Sequence, residues 1–123
     1  MLGDAEITAF VATTDAERAK RFYCETLGLR LVADEEYALV LDANGTMLRV
    51  QKVEKLAPQP FTSLGWNVPD IAATIDALVA SGVAFERYGF MEQDDRGVWT
   101  APGGAKIAWF KDPDGNTLSI AEM

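Results

Sequence analysis

Hydrophobic and polar positions along the chain follow one order of elements that occurs twice. In the first half, an apolar, β-rich run predicts a strand over residues 6–13. Thr14 and Asp15 then offer a helix N-cap, apolar residues recur at helical spacing, and Gly28 ends the helix. Asn44-Gly45 is a strong signal for a two-residue hairpin turn. The other predicted strands of this half cover residues 29–35, 37–42 and 46–53.

The second half repeats the order with one longer loop. A strand is predicted over residues 61–68, and a helix begins at Pro69-Asp70 and ends at Gly82. The acidic loop at residues 89–97 is longer than its counterpart in the first half, so it either shapes an opening or is a surface loop without a role. The other predicted strands of this half cover residues 83–88, 98–101, 105–111 and 117–122.

Each copy therefore predicts a β-α-β-β-β module, and the fold class is α+β. The length fits a single domain over residues 1–123. Module one spans about residues 1–55, a linker with Pro58 and Pro60 covers residues 54–60, and module two spans about residues 61–123. One face of each sheet is covered by its helix, so the other face needs a different cover or lines a cavity. Such a cavity suits a small-molecule ligand.

Charge and hydropathy exclude several classes of partner. The net charge is −8, which disfavours nucleic acid and anionic membrane surfaces as partners. The sequence has no apolar run of roughly 18 residues that would span a membrane. The first residues also lack the basic start and apolar stretch of a signal peptide, so we expect a cytoplasmic protein.

The counts of His and Cys limit the chemistry. The chain has no His, which removes the commonest general acid/base and the commonest transition-metal ligand. The single Cys24 cannot form an internal disulfide and fits a reducing compartment. A zinc site with the usual ligands is excluded, and the oxygen ligands that remain suit magnesium, calcium or manganese.

Four short motifs, taken in order along both halves, resemble the vicinal oxygen chelate superfamily. This group includes glyoxalase I, extradiol dioxygenases, fosfomycin-resistance enzymes and bleomycin-resistance proteins. The resemblance implies paired βαβββ modules in a U-shaped, half-open barrel, and a homodimer. The motifs are Thr14-Asp15, Phe22-Tyr23, Leu27-Gly28-Leu29 and Lys111-Asp112-Pro113-Asp114-Gly115-Asn116.

The resemblance also implies where a metal would bind. In the family's enzymes, ligands on the first and fourth strands of paired modules are usually His, Gln or Glu. The matching positions here are Thr8, Arg49, Ser63 and Ser119. Neutral hydroxyls are poor ligands and a guanidinium repels a cation, and a shifted register would offer only Gln51 instead of Arg49. We therefore expect no divalent metal and no other cofactor.

Side-chain alternation along the strands predicts which residues line the cavity. Arg49 has the most specific predicted role, because a buried guanidinium needs a partner. It could anchor a carboxylate or phosphate of the ligand. The alternatives are an ion pair with a protein carboxylate such as Glu35, Glu86 or Glu122, or exposure at the edge of the barrel. Either Trp109 or Phe110 faces the cavity. The predicted ligand-binding residues are Thr8, Phe10, Met47, Arg49, Gln51, Ser63, Trp99, Trp109 and Ser119.

The leading hypothesis is metal-independent binding of a small anionic or aromatic molecule, similar to sequestration by bleomycin-resistance proteins. One alternative is a glyoxalase-like lyase or isomerase, or a dioxygenase, with a lost or atypical metal site. Another is a structural dimer without catalysis. No residue stands out as catalytic, and the interpretation leans away from an enzyme.

Overall fold

Each half of the chain folds into a four-stranded sheet with its main helix between the first and second strands. The computed structural model describes residues 1–123 and divides into two compact units, Met1–Pro58 and Gln59–Met123. The first unit contains β1 (Thr8–Thr13), α1 (Ala16–Lys20), β2 (Arg30–Asp34), β3 (Ala38–Ala43) and β4 (Thr46–Lys52). The second unit contains β5 (Thr62–Asn67), α2 (Ile71–Ala80), β6 (Trp99–Thr100), β7 (Lys106–Lys111) and β8 (Thr117–Glu122).

The two sheets have the same topology. Their strand orders are β1-β4-β3-β2 and β5-β8-β7-β6. In each sheet the first strand pairs in parallel with the last strand, and the remaining pairs are antiparallel. Neither sheet closes on itself. The predicted α+β class and the two tandem βαβββ modules are confirmed.

Both helices begin where the sequence predicts. The carboxylates of Asp15 and Asp70 accept hydrogen bonds from the backbone N–H groups of Arg18 and Ala73, each at 3.1 Å. The first helix continues beyond α1 as a π-helical segment, Arg21–Thr26. Neither α1 nor α2 has the length and hydrophobicity that a membrane crossing needs.

Two predicted turns set the ends of the central strands. Asn44 and Gly45 have φ angles of 52° and 89°, and the tight turn that they form joins β3 to β4. The buried Asp112 carboxylate accepts from the backbone N–H groups of Asp114 and Asn116 at 3.0 and 2.9 Å. Each turn therefore fixes the register of the hairpin that it closes.

The cores follow the predicted alternation. In β4, Leu48 and Val50 are buried while Met47 and Arg49 lie on the opposite face. In β7, Phe110 is buried, so Trp109 lies on the opposite, half-exposed face. Of the two residues that the sequence offered for the cavity face, Trp109 is therefore the one on that face. We call the face of each sheet that carries Met47 or Trp109 its open face.

The predicted strand over residues 83–88 is wrong. This segment makes only an isolated bridge between Phe85 and Phe110, and the short β6 takes the edge position in the sheet. The Gln93 side chain accepts from the Tyr88 N–H at 2.7 Å and donates to the Glu86 carbonyl at 3.0 Å. Because these backbone groups bond to a side chain, they are not available to a strand neighbour.

Candidate functional site

A glycine in the middle of β5 leaves space on the open face of the second sheet. Gly65, Ser119 and Trp109 are neighbours across β5, β8 and β7 in the observed register. A Cβ atom added at Gly65 would lie 2.8 Å from the Ser119 hydroxyl oxygen, far inside contact distance. The glycine therefore makes room for the Ser119 hydroxyl beside the Trp109 ring.

Four aromatic side chains, called the aromatic row below, gather on this side of the unit: Tyr88, Phe90, Trp99 and Trp109. The Trp109 ring centroid lies 5.7 Å from Tyr88 in an edge-to-face contact and 6.3 Å from Trp99 in a tilted one. Tyr88 in turn contacts Phe90 at 5.7 Å. Phe90 is 83% exposed, whereas the other rings are half-buried. Such ring pairs form a stable apolar surface on which another planar ring can stack.

Polar groups fix the orientation of this surface. The Trp109 Nε1–H donates to the Thr62 hydroxyl oxygen at 3.1 Å, which sets the angle of the indole. Thr62 keeps its own hydroxyl hydrogen for a further bond. Burial raises the pKa of the Tyr88 phenol, the Glu86 charge raises it further and Lys111 opposes the shift. Tyr88 therefore stays protonated at neutral pH and can donate a hydrogen bond.

The loop at residues 89–97 is held in place beside Trp99. The Gln93 amide nitrogen donates to the Gly97 carbonyl at 2.7 Å, in addition to its bonds with residues 86 and 88. The Arg96 guanidinium makes two 2.9 Å bonds to the Asp76 carboxylate on α2. The loop is thus tied both to the edge of the sheet and to the helix.

The open face of the first sheet carries apolar and polar side chains side by side. Thr8 lies opposite Met47, and Phe10 lies opposite Arg49. Phe10 and Met47 are 50% and 44% exposed. A pocket of about 200 Å³ beside Thr8 and Met47 is bordered by apolar side chains and by two carboxylates, Glu6 and Asp42. Gln51 is exposed and pairs across the sheet with Ala12.

Arg49 is paired within its own unit. Its Nη2 atom lies 3.3 Å from the Glu35 carboxylate, just after the end of β2. Next to it, Lys52 donates to Asp34 and to the Glu35 carbonyl, each at 2.6 Å. The second interpretation of Arg49 from the sequence, a protein ion pair, is the one that the geometry supports.

The four positions matched to family metal ligands do not suit a divalent cation. Thr8 and Arg49 are not direct partners in the sheet, and Ser63 falls in the irregular step between Thr62 and Leu64 while Gly65 is the partner of Ser119. The set offers hydroxyls and a guanidinium, and no three His, Cys, Asp or Glu side chains lie together in the chain. Glu122, the carboxylate on the same strand as Ser119, accepts a hydrogen bond from the Ile71 N–H at the start of α2 at 3.0 Å.

The predicted site residues therefore fall into two groups. Trp99, Trp109 and Ser119 come together on the second sheet, with Ser63 on the neighbouring β5. The others lie on β1 and β4 of the first sheet: Thr8, Phe10, Met47, Arg49 and Gln51. Side-chain alternation along β5 predicts that Gly65 faces the cavity, but neither Gly65 nor Thr62 was among the predicted ligand-binding residues. A glycine inside a strand pattern is a signal of close approach that could have identified Gly65.

Comparisons with known proteins agree with this topology. The family model described as "Glyoxalase/Bleomycin resistance protein/Dioxygenase superfamily" matches residues 6–120. No curated protein matches the chain.

Solved structures with the same fold cover nearly the whole chain. A glyoxalase family protein from Enterococcus faecalis has 22% identity and a TM-score of 0.76, with 98% of this chain and 99% of that chain covered. A lactoylglutathione lyase from Agrobacterium tumefaciens has 15% identity and a TM-score of 0.74, with 97% and 93% covered. At these identities the similarity concerns the fold.

Proposed function

This chain belongs to the Glyoxalase/Bleomycin resistance protein/Dioxygenase superfamily, and from that premise we propose that it binds a small planar aromatic molecule without a metal ion. The observation that carries the proposal is the aromatic row around Trp109 on the second sheet. Small-molecule sites typically combine apolar and aromatic walls with a few fixed polar groups. Here those groups are the hydroxyls of Thr62, Ser119 and Tyr88.

An aromatic ligand is favoured over an anionic one. An anion at Arg49 would have to compete with Glu35 for the guanidinium, whose Nη2 atom lies 3.3 Å from the carboxylate. Trp109 needs no such exchange, because its N–H is already bonded to Thr62 and its ring is half-buried. Stacking on Trp109 therefore leaves the existing contacts of the protein intact.

Metal-dependent lyase, isomerase or dioxygenase chemistry is not part of the proposal. Those reactions need a cation held by several strong ligands, and Thr8, Arg49, Ser63 and Ser119 supply neutral hydroxyls and a positive charge. The chain would bind its ligand and release it unchanged. Elemental analysis of protein purified without chelator, followed by titration with manganese, nickel and zinc, tests this point. A stoichiometric metal would overturn it.

Ligand binding can be followed through tryptophan fluorescence. We expect 2-naphthylmethanol, a neutral planar probe, to quench the emission of the protein. In Trp109→Leu its Kd should rise roughly threefold to tenfold, the range for loss of one aromatic contact. Phe10→Leu, which removes an exposed ring from the first sheet, is the matched control and should leave Kd unchanged. Equal affinity in wild type and Trp109→Leu, measured by calorimetry, contradicts the proposal.

A further inference from the structure

A second pocket lies beside the aromatic row and shares Trp99 with it. Its volume is about 320 Å³. The ring centroids of Trp99 and Trp109 lie 6.3 Å apart, and Trp99 also borders the pocket. The residues around the pocket are Glu92, Gln93, Asp94, Val98, Trp99 and Thr100. The long loop at residues 89–97 thus supplies three of the six lining residues, and these are called the pocket wall below.

The backbone of the wall is held in place before any ligand binds. Gln93 makes three bonds to the backbone, to Tyr88, Glu86 and Gly97. The Asp94 carboxylate accepts from the N–H groups of Arg96 and Val98, both at 2.9 Å. A wall held in this way loses little conformational entropy on binding, which favours affinity.

The charge on the pocket wall is negative. Glu92 is exposed, and its carboxylate makes no hydrogen bond or ion pair. Of the nearby guanidinium groups, Arg96 is paired with Asp76, whereas Arg87 donates to the Asp94 carbonyl at 2.6 Å and keeps its positive charge. The two carboxylates of the lining, Glu92 and Asp94, outnumber that single cation. A positive group entering the pocket therefore meets a free carboxylate and the ring of Trp99. An indole ring attracts cations through its electron-rich face.

We propose that this pocket binds the ammonium group of a ligand whose planar ring stacks on the aromatic row. The ligand class is an aromatic molecule that carries a protonated amine. This inference rests on the proposed function and adds the charge of the ligand to it. The net charge of −8 acts in the same direction, because it raises the concentration of organic cations near the surface.

Two probes of the same size test the charge. 2-Naphthylmethylamine, protonated at pH 7, and 2-naphthylmethanol differ only in the group that would enter the pocket. We expect the amine to bind roughly threefold to tenfold more tightly, the range for an exposed ion pair together with a cation–π contact. The difference should shrink as salt is raised from 20 mM to 500 mM.

Glu92→Gln is the variant that isolates the contact. It should remove most of the difference between the two probes and leave the affinity for the alcohol unchanged. Asp95→Asn removes the same charge from the same loop but not from the pocket wall, so it should keep the difference. A loss in both variants would assign the effect to overall charge and overturn the site.

The two probes distinguish an error in the ammonium site from an error in the aromatic site. If the two probes bind wild type equally, and Trp109→Leu weakens both, the ammonium site is wrong and the aromatic site stands. If neither probe binds wild type, both are wrong. Trp99→Leu is expected to weaken the amine more than the alcohol, since the lost ring supplies the cation contact.

Discussion

Arg49 and Glu35 form an ion pair that lies within the first unit, with 3.3 Å between Nη2 and Oε1. The guanidinium is about one-third exposed and the carboxylate about half exposed, at 31% and 54% of their side-chain surfaces. The pair satisfies a cation on the open face of the sheet without any ligand. Its energy should therefore be that of a surface pair, and its loss should not affect the aromatic site.

A double-mutant cycle with Arg49→Gln and Glu35→Gln measures this pair. We expect a coupling free energy of about 0.2–1 kcal/mol, because solvent screens both groups. Urea unfolding of the four proteins at low salt gives the value. Arg49→Gln should also bind 2-naphthylmethanol as wild type does. A lower affinity of this variant would restore Arg49 as a ligand contact.

Substitution of Gly65 tests whether its lack of a side chain makes room for Ser119 on the second sheet. In Gly65→Ala the new Cβ meets the Ser119 hydroxyl at 2.8 Å and the Ser119 carbonyl at 3.4 Å, so we expect a loss of about 1–3 kcal/mol in the free energy of unfolding. Adding Ser119→Ala should recover part of that loss, because the crowded oxygen is gone. Additive effects in the double variant, measured by urea unfolding, would contradict the proposed close contact.

Gln93 should hold the long loop through its amide group. Gln93→Ala leaves the Tyr88 N–H and the Glu86 and Gly97 carbonyls without these partners, so we expect a loss of about 1–3 kcal/mol. Amide hydrogen exchange at Tyr88 should speed up as well. Gln93→Glu is the matched comparison, because it keeps the acceptor for the Tyr88 N–H and loses only the bonds donated to the Glu86 and Gly97 carbonyls. Unchanged exchange at Tyr88 in Gln93→Ala would argue against this role.

The Arg96–Asp76 pair should make stability depend on pH in the acid range. Hydrogen bonds from Arg96, aided by its positive charge, hold the pKa of the Asp76 carboxyl below its usual range. The unfolded carboxyl has a pKa of about 3.9, so the stabilisation is complete above that pH and is lost as pH falls through the lower folded-state value.

Asp76→Asn removes this contribution. Its free energy of unfolding should therefore decline less than that of wild type between about pH 5 and pH 2. Asp95→Asn, which removes a carboxylate from the loop and leaves the Arg96–Asp76 pair intact, is the control. Urea unfolding at a series of pH values gives the comparison, and parallel curves for wild type and Asp76→Asn would refute the assignment.

The repeated fold was predictable because short-range signals agreed with the final topology. Asp15 and Asp70 begin helices, and Asn44-Gly45 makes the hairpin turn, through contacts with their immediate neighbours. The strand predicted over residues 83–88 failed for the opposite reason. Beyond the isolated bridge to Phe110, the Tyr88 N–H and the Glu86 carbonyl bond to the Gln93 side chain, and the apolar pattern gives no sign of bonds of that kind.

The candidate site was only partly predictable. Alternation placed Trp109 and Ser119 on one face once Phe110 was known to be buried. The contact between Gly65 and Ser119 depends on the register of β5 against β8, which includes an irregular step that the sequence does not mark. The homodimer, the cytoplasmic location and the absence of a metal stay predictions.

The parallel pairing of the first and last strand in each unit has a consequence for how the chain folds. The β3–β4 and β7–β8 hairpins join neighbours in sequence, whereas β1 must find β4 and β5 must find β8 across a whole unit. Because such distant contacts form slowly, we expect the first strand of each unit to join its sheet late. Until then β4 and β8 present unpaired edges, and those edges are where two newly made chains would pair with each other and aggregate.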